Sequence, residues 1–241
     1  MEDNEYDTVR SLVAAYQMIK PGEHARAHRH SPNAMRLIVD AEPGCYTVVD
    51  GVKLPMRAGD ILLTPGDCWH SHFNEGIANA YWIDVLDVPL VHLLEPMFFS
   101  GKHECAPAVS DEPKSHPFYF PHEALASASC ALLASSGIAR LVLDTQAHIR
   151  TMEICHLRME AGARHDFGRN TANRIFAVLS GSGEAQVDNR KIAWNRGDVL
   201  AVPTWKSHSL STELGAVLIE ISDAPVMRML GLYRDTAYPE Q

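Results

Sequence analysis

Three histidines in the first third of the chain have the types and spacing of a metal site. His28 and His30 stand two apart after Gly22, and His70 follows Gly59-Asp60 and Pro65, with Asn74 four residues further on. Residues two apart on a strand share one face. His70, on a later strand, reaches the same interior only if the sheet curls. Imidazoles suit iron, zinc, nickel or copper far better than magnesium or calcium. Three neutral imidazoles leave an ion its full charge and leave positions open for an anionic, chelating substrate and O2. No carboxylate joins them closely: the stretch Ser31 to Arg36 has none, and Asp40 comes late for a ligand. The competing reading makes His28 and His30 a solvated pair and His70 a turn residue. Two glycine turns and Asn74 in the same frame favour the metal site.

Arg36 lies six positions after His30 in an otherwise apolar segment, so its parity points it to the ligand face. An inward arginine needs an anionic partner. Two are open: a protein carboxylate, Asp84 or Asp87, or a substrate carboxylate held in a bidentate fork. His72, two beyond His70, shares its face as a fourth ligand, an acid/base group or a hydrogen-bonding neighbour, the last being preferred. Asp84 follows Tyr81-Trp82-Ile83 and is expected to be buried, orienting a ligand, assisting proton transfer or pairing with Arg36. Gln17 is a polar residue in a strand. His24 precedes the motif and is read as structural or solvent-facing.

The elements that must position these residues are short strands. Val13 to Ile19, Ala34 to Val39, Cys45 to Val49, Ile61 to Thr64 and Ala80 to Val85 are rich in β-formers and punctuated by Gly, Pro and Asp. Asp50-Gly51 is a hairpin signal. This density predicts an all-β chain built as an antiparallel barrel or sandwich. From Val91 to about Gly137 the composition turns polar and proline-rich, which predicts a linker with a helix over Glu123 to Ala134. Strands resume at Ala139 to Leu143 and Thr151 to Met159.

The frame then repeats. Gly59-Asp60-Ile61-Leu62-Leu63-Thr64-Pro65 returns as Gly197-Asp198-Val199-Leu200-Ala201-Val202-Pro203, and His208 follows Pro203 at the distance that separates His70 from Pro65. Gly168 and Asn170 stand where His28 and His30 stand, with His165 three residues earlier. Duplication predicts two small barrels: residues 1–97 with the metal site, a linker over 98–137, and a degenerate barrel over 138–241. One metal centre per chain follows.

The whole composition narrows the function. The 241 residues are 46% hydrophobic, enough for a core, and carry a formal charge of -9. That balance argues against nucleic acid or an anionic membrane as partner. Five scattered cysteines form no CxxC pair, which fits a reducing compartment. The acidic opening MEDNEYD is no secretory signal, and no apolar run spans a bilayer. A cytoplasmic protein is expected.

The stretch from Pro21 through His28-Arg29-His30 to Arg36, the Gly59-to-Pro65 turn and strand, Trp69-His70-Ser71-His72 and Trp82-Ile83-Asp84-Val85-Leu86-Asp87-Val88-Pro89 resemble the gentisate 1,2-dioxygenase family. That family includes salicylate and 1-hydroxy-2-naphthoate dioxygenases. The match covers most of the first half closely and the second more loosely, to about Asp223. It implies a bicupin, that is, a duplicated jelly-roll cupin, with Fe(II) held by His28, His30 and His70. It implies an oxidoreductase that cleaves a hydroxybenzoate ring with O2 in aromatic-compound catabolism. By the same resemblance Arg36 binds the substrate carboxylate, His72 lies near the substrate, Gln17 lines the pocket, and Asp84 orients substrate or helps proton transfer. The family is usually tetrameric, so a homo-oligomer is expected. Family members carry an N-terminal segment that helps cover the pocket. With 27 residues before His28, that segment is expected to be absent here. A pocket glycine of the family appears as Ala15 and a tryptophan as Val13, two positions that bear on substrate choice. The rival readings are another cupin metalloenzyme on a small organic acid and a non-catalytic small-acid binding cupin.

Overall fold

The computed structural model describes residues 7–101, 110 and 112–235. Lys102-His103-Glu104 and Cys105, within the expected linker, lie outside them. The described residues form two compact units, residues 13–124 and residues 125–235 with 7–12.

The first unit holds β1 (Val13–Ile19), β2 (His24–His30), β3 (Ala34–Asp40), β4 (Cys45–Val49), β5 (Val52–Pro55), β6 (Ile61–Thr64), β7 (His70–Asn74) and β8 (Ala80–Leu86). Helix α1 (Val88–Leu93), β9 (Phe99–Gly101) and β10 (Tyr119–Phe120) follow. Two five-stranded antiparallel sheets result, in the orders β1-β8-β3-β6-β10 and β5-β4-β7-β2-β9. Asp50 and Gly51 both take positive φ, 45° and 81°, and join β4 to β5 as a tight hairpin. Ile38, Leu54, Leu62 and Trp82 fill the interior.

Helix α2 (His122–Ala131) begins one residue before the expected helix and ends three before its expected end. It leads into β11 (Ile138–Val142), β12 (Glu153–Met159), β13 (Arg164–Phe167), β14 (Arg174–Val187), β15 (Arg190–Asn195), β16 (Val199–Val202), β17 (His208–Ser211), β18 (Ala216–Ser222) and α3 (Ala224–Met229). Here one 14-residue strand, β14, does the work of β3 and β4 together. Its first half pairs with β16 and β18 and its second with β15 and β17. The strand crosses between sheets at Gly181-Ser182-Gly183. A Cβ at Gly183 would lie 2.0 Å from the Ser211 carbonyl oxygen, and one at Gly181 2.3 Å from that of Gly215. Only glycine permits so close a turn. Phe176, Trp194 and Leu218 sit in this second core.

The expected linker contains structure. β9 pairs with β2 and β10 with β6, each extending a sheet of the first unit by one edge strand. Asp60 ties this return segment down: its carboxylate accepts hydrogen bonds from the Tyr119 hydroxyl at 3.0 Å and the His122 N–H at 2.9 Å. Burial raises the Asp60 pKa above the ordinary carboxylate value. Among the described residues no helix is long and apolar enough to cross a membrane.

The duplication reaches individual hydrogen bonds. Asp87 precedes α1, yet its carboxylate accepts from Asn33, N–H to Oδ1 at 2.7 Å and Nδ2 to Oδ2 at 2.8 Å. Asp223 precedes α3 and binds Asn173 through the same atoms, both at 2.8 Å. The Oδ1 of Asn33 accepts the Gly66 N–H, and that of Asn173 the Thr204 N–H. Asn33 ends the turn between the ligand-bearing β2 and the Arg36-bearing β3, so this brace sets their spacing. Asp87→Ala leaves two amide donors without acceptors and is predicted to lower unfolding free energy by about 2–3 kcal/mol. Urea denaturation checks this; a change below roughly 0.5 kcal/mol, the scale of an ordinary surface substitution, would refute the brace.

Candidate metal centre

His28 and His30 lie on β2 and His70 on β7, and His28 pairs with His70 in the ladder. Their ring centroids are 4.2 Å (His28–His70), 5.0 Å (His30–His70) and 5.8 Å (His28–His30) apart. One ligand nitrogen from each comes within 4.8 Å of the others, and this is the one such triad found among the described residues. Each Nδ1 meets a backbone carbonyl: His28 that of Arg26 at 2.8 Å, His30 that of Pro32 at 2.8 Å, His70 that of Cys68 at 2.9 Å. A carbonyl only accepts, so each Nδ1 carries the proton and each Nε2 keeps its lone pair. This is how proteins prepare imidazoles as metal ligands. The donor set therefore fits a borderline or soft divalent ion. Burial drives the His70 pKa down to about 3 and lowers that of His30.

Arg36, on β3 directly opposite Asp84 on β8, is buried, as is its partner. Its Nε and Nη2 each donate to one Asp84 oxygen at 2.8 Å, and Trp82 Nε1 donates to Asp84 Oδ2 at 3.0 Å. Of the two partners open to Arg36, the protein carboxylate is present and is Asp84; Asp87 is engaged with Asn33. The guanidinium also lies 4.8 Å from the Trp82 ring centre. Arg36 Nη1 is 2.7 Å from His72 Nδ1. A guanidinium has five N–H donors and no lone pair to offer. His72 Nδ1 must therefore accept, which places the His72 proton on Nε2. Two of the five Arg36 N–H groups remain. Burial and the Arg36 charge hold the His72 pKa well below its ordinary value.

One open cavity of about 690 Å³ unites the expected residues: His28, His30, His70, Arg36, His72, Asp84 and Gln17 all line it. Gln17 is exposed, on β1 opposite Trp82. His24 stands at its wall too, stacked on Phe73. Three neighbours escaped the sequence reading. Thr47 meets His72 Nδ1 at 2.7 Å from β4, a strand buried throughout and therefore without alternation to betray its facing. Trp82 shares the Asp84 parity, and its N–H was the signal. Phe99, 70% exposed, stacks on His28 at 5.6 Å and belongs to the segment whose composition resembled a linker.

The second unit keeps the frame and changes the centre. His208 retains its Nδ1 contact to the carbonyl two residues back, Lys206 at 3.2 Å, but its ring lies flat on Phe167, centroids 4.5 Å apart. Arg174 Nη1 donates to Asn170 Oδ1 at 2.9 Å, and Asn170 stands in the place of His30. The same guanidinium donates from Nε to Glu220 at 2.8 Å, and Arg140 donates to the other Glu220 oxygen at 2.6 Å. A cationic side chain thus occupies this interior. His165 joins His208 in no metal-binding triad among the described residues.

Residues 15–86 match the cupin domain family model. Over 97% of its length the chain is 33% identical to a 5-aminosalicylate 1,2-dioxygenase from Comamonas sp, of which it covers 71%. It is 28% identical to a gentisate 1,2-dioxygenase from Ralstonia sp over 93% of its length and 71% of that enzyme. The crystal structure of a salicylate 1,2-dioxygenase from Pseudaminobacter salicylatoxidans superposes with a TM-score of 0.88 at 27% identity. It covers 98% of this chain and 77% of that one.

Metal analysis is predicted to find one divalent ion per chain, lost in His28→Ala and His70→Ala and retained in His208→Ala; two ions per wild-type chain would refute this. The metal-free protein should also be acid-sensitive. The His70 pKa is lower folded than the 6.5 of the free side chain, so the unfolded chain takes up the proton first. Stability is whole above that value and falls as pH drops toward 3, by up to about 1.4 kcal/mol per pH unit for this one group. Denaturation midpoints measured between pH 7 and 5 check the slope.

Proposed function

The chain belongs to the gentisate 1,2-dioxygenase family of ring-cleaving dioxygenases, and from that membership we propose that it is an Fe(II)-dependent enzyme opening the ring of a hydroxybenzoate such as gentisate. The observation that carries this is the convergence of three imidazoles whose Nδ1 atoms are all turned onto carbonyls, beside a buried arginine.

His28, His30 and His70 would hold the iron through Nε2. When bound, the ion supplies Lewis acidity and the electronic coupling between an electron-rich ring and O2. The protein's own groups do the rest. Three neutral ligands would cancel none of the ion's charge, which would favour an anionic substrate carrying a phenolate and a carboxylate. The two remaining Arg36 N–H groups and the His72 Nε2–H are donors only, so this corner of the cavity receives the substrate carboxylate. Asp84 accepts three hydrogen bonds and works through Arg36, holding the guanidinium at fixed height and reducing the cost of burying it. Gln17 offers both a donor and an acceptor at the open side, where ring substituents lie. Both atoms of O2 enter the product as the bond between the hydroxyl-bearing and carboxylate-bearing carbons breaks, so no external reductant is consumed. In this reading the first unit is the catalytic domain, and the second contributes no metal.

Anaerobic reconstitution with Fe(II), followed by oxygen uptake with gentisate, 5-aminosalicylate, salicylate and 1-hydroxy-2-naphthoate, tests the proposal. One O2 per ring is expected with at least one of them; an iron-replete protein that consumes no oxygen with any refutes it. Arg36→Lys keeps the charge but loses the planar fork that serves Asp84 and His72 at once. It is expected to raise the KM for the hydroxybenzoate by at least about tenfold, the weight of one charge-assisted hydrogen bond. An unchanged KM and kcat would remove Arg36 from the site.

A further inference from the structure

We propose that Thr47 is a positioning residue that anchors His72 to the barrel frame, so that His72 keeps its Nε2–H turned to the cavity while Arg36 engages the substrate. This rests on the reading of Arg36 and His72 as the carboxylate-binding corner.

Thr47 is fully buried on β4 and pairs with His72 on β7 across the ladder. Its Oγ1 is 2.7 Å from His72 Nδ1 and 3.0 Å from the Ser71 carbonyl. The hydroxyl has a single proton to give. Were it given to Ser71, the hydroxyl oxygen would face the Nδ1 lone pair at 2.7 Å, acceptor against acceptor. Protonating Nδ1 instead would set N–H against the Arg36 N–H at the same distance. One arrangement avoids both clashes: Nδ1 bare, accepting from Arg36 and from Thr47 together.

The two donors differ mechanically. Arg36 ends a long, flexible side chain whose remaining N–H groups are those expected to meet the substrate. Any turn of that guanidinium about its Asp84 fork to meet a carboxylate would lengthen its contact with Nδ1. Thr47 is β-branched, one torsion from the backbone of a strand buried at every position. It does not follow the substrate. The lone pair of Nδ1 therefore stays occupied by a donor through the binding step, and the ring is kept from turning about its Cβ–Cγ bond. Trp82, whose ring centre lies 5.8 Å from that of His72, limits the same rotation from β8.

Thr47→Val replaces the hydroxyl with a methyl of similar shape, and Thr47→Ser restores the hydroxyl. With the substrate that the wild type consumes, Thr47→Val is expected to lower kcat by about tenfold or more, the scale for small misplacements in an active site. KM should stay near wild type and Thr47→Ser should recover most of the rate. ¹⁵N histidine spectra of the zinc-loaded chain with gentisate added supply a readout apart from turnover. His72 should show a single Nε2–H form in wild type and Thr47→Ser, and a mixture of forms in Thr47→Val. If Thr47→Val unfolds at a lower temperature than wild type, Thr47→Ala with the same two measurements takes its place. Wild-type kcat together with a single Nε2–H form in the hydroxyl-free variant overturns the anchor alone. Absence of oxygen uptake by the wild type on every hydroxybenzoate overturns the anchor together with the reading beneath it.

Discussion

A guanidinium gives hydrogen bonds and receives none, and Arg36 is buried. Much of the site follows from that asymmetry. Every atom facing Arg36 must be an acceptor, which makes Asp84 a carboxylate and leaves His72 Nδ1 without its proton. The one His72 proton then has a single address, Nε2. The guanidinium thereby turns an imidazole into a donor beside three imidazoles that are all acceptors, its ring centre 5.7 Å from that of His70. Donor and acceptor faces arise from one residue type, sorted by what touches Nδ1: a carbonyl for the ligands, an arginine and a threonine for His72.

The barrel exists to hold that sorting fixed. Side-chain alternation brings His28 and His30 to one face of β2, and the ladder sets His70 beside His28. The carbonyls that orient the rings come from within two residues of each histidine, so ring orientation is written into the strand itself. Longer-range order comes from the Asn33–Asp87 brace, which fixes how β2 turns into β3, and from Asp60, which draws the return segment onto the sheet. The buried carboxylates at both places accept from a backbone N–H and from one side chain, the Asn33 amide at Asp87 and the Tyr119 hydroxyl at Asp60.

The readable parts of the sequence were those governed by local rules. Val13–Ile19, Cys45–Val49 and Ile61–Thr64 emerge as strands because β-formers end at glycine, proline or Asp-Gly. His28, His30 and His70 stand out because periodicity two is stringent, and Arg36 because a charge in an apolar strand demands an explanation. Less legible were features set by distant partners. The helix after Asp87 is short, and its leading carboxylate is spent on Asn33, 54 residues away in sequence. β9 and β10 are three and two residues long and are strands only because an edge accepts them. Thr47 carries no local mark at all, since its facing is decided by the ladder to β7. Whether Arg36 meets a protein or a substrate carboxylate was undecidable from parity, which fixes direction but not what lies there.

The second barrel bears on a different matter. Where His30 would stand, Asn170 accepts a hydrogen bond from Arg174, a cation joined to the chain by covalent bonds. A tethered cation has no dissociation constant. It is not diluted or chelated, and its place in the fold does not depend on a free metal concentration. The imidazole triad of the first barrel has the opposite character: whatever fills it exchanges with solution and stabilises the fold by mass action, in proportion to its free concentration. With an ion bound at the triad as proposed, two copies of one frame would answer differently to metal scarcity, the first by loosening.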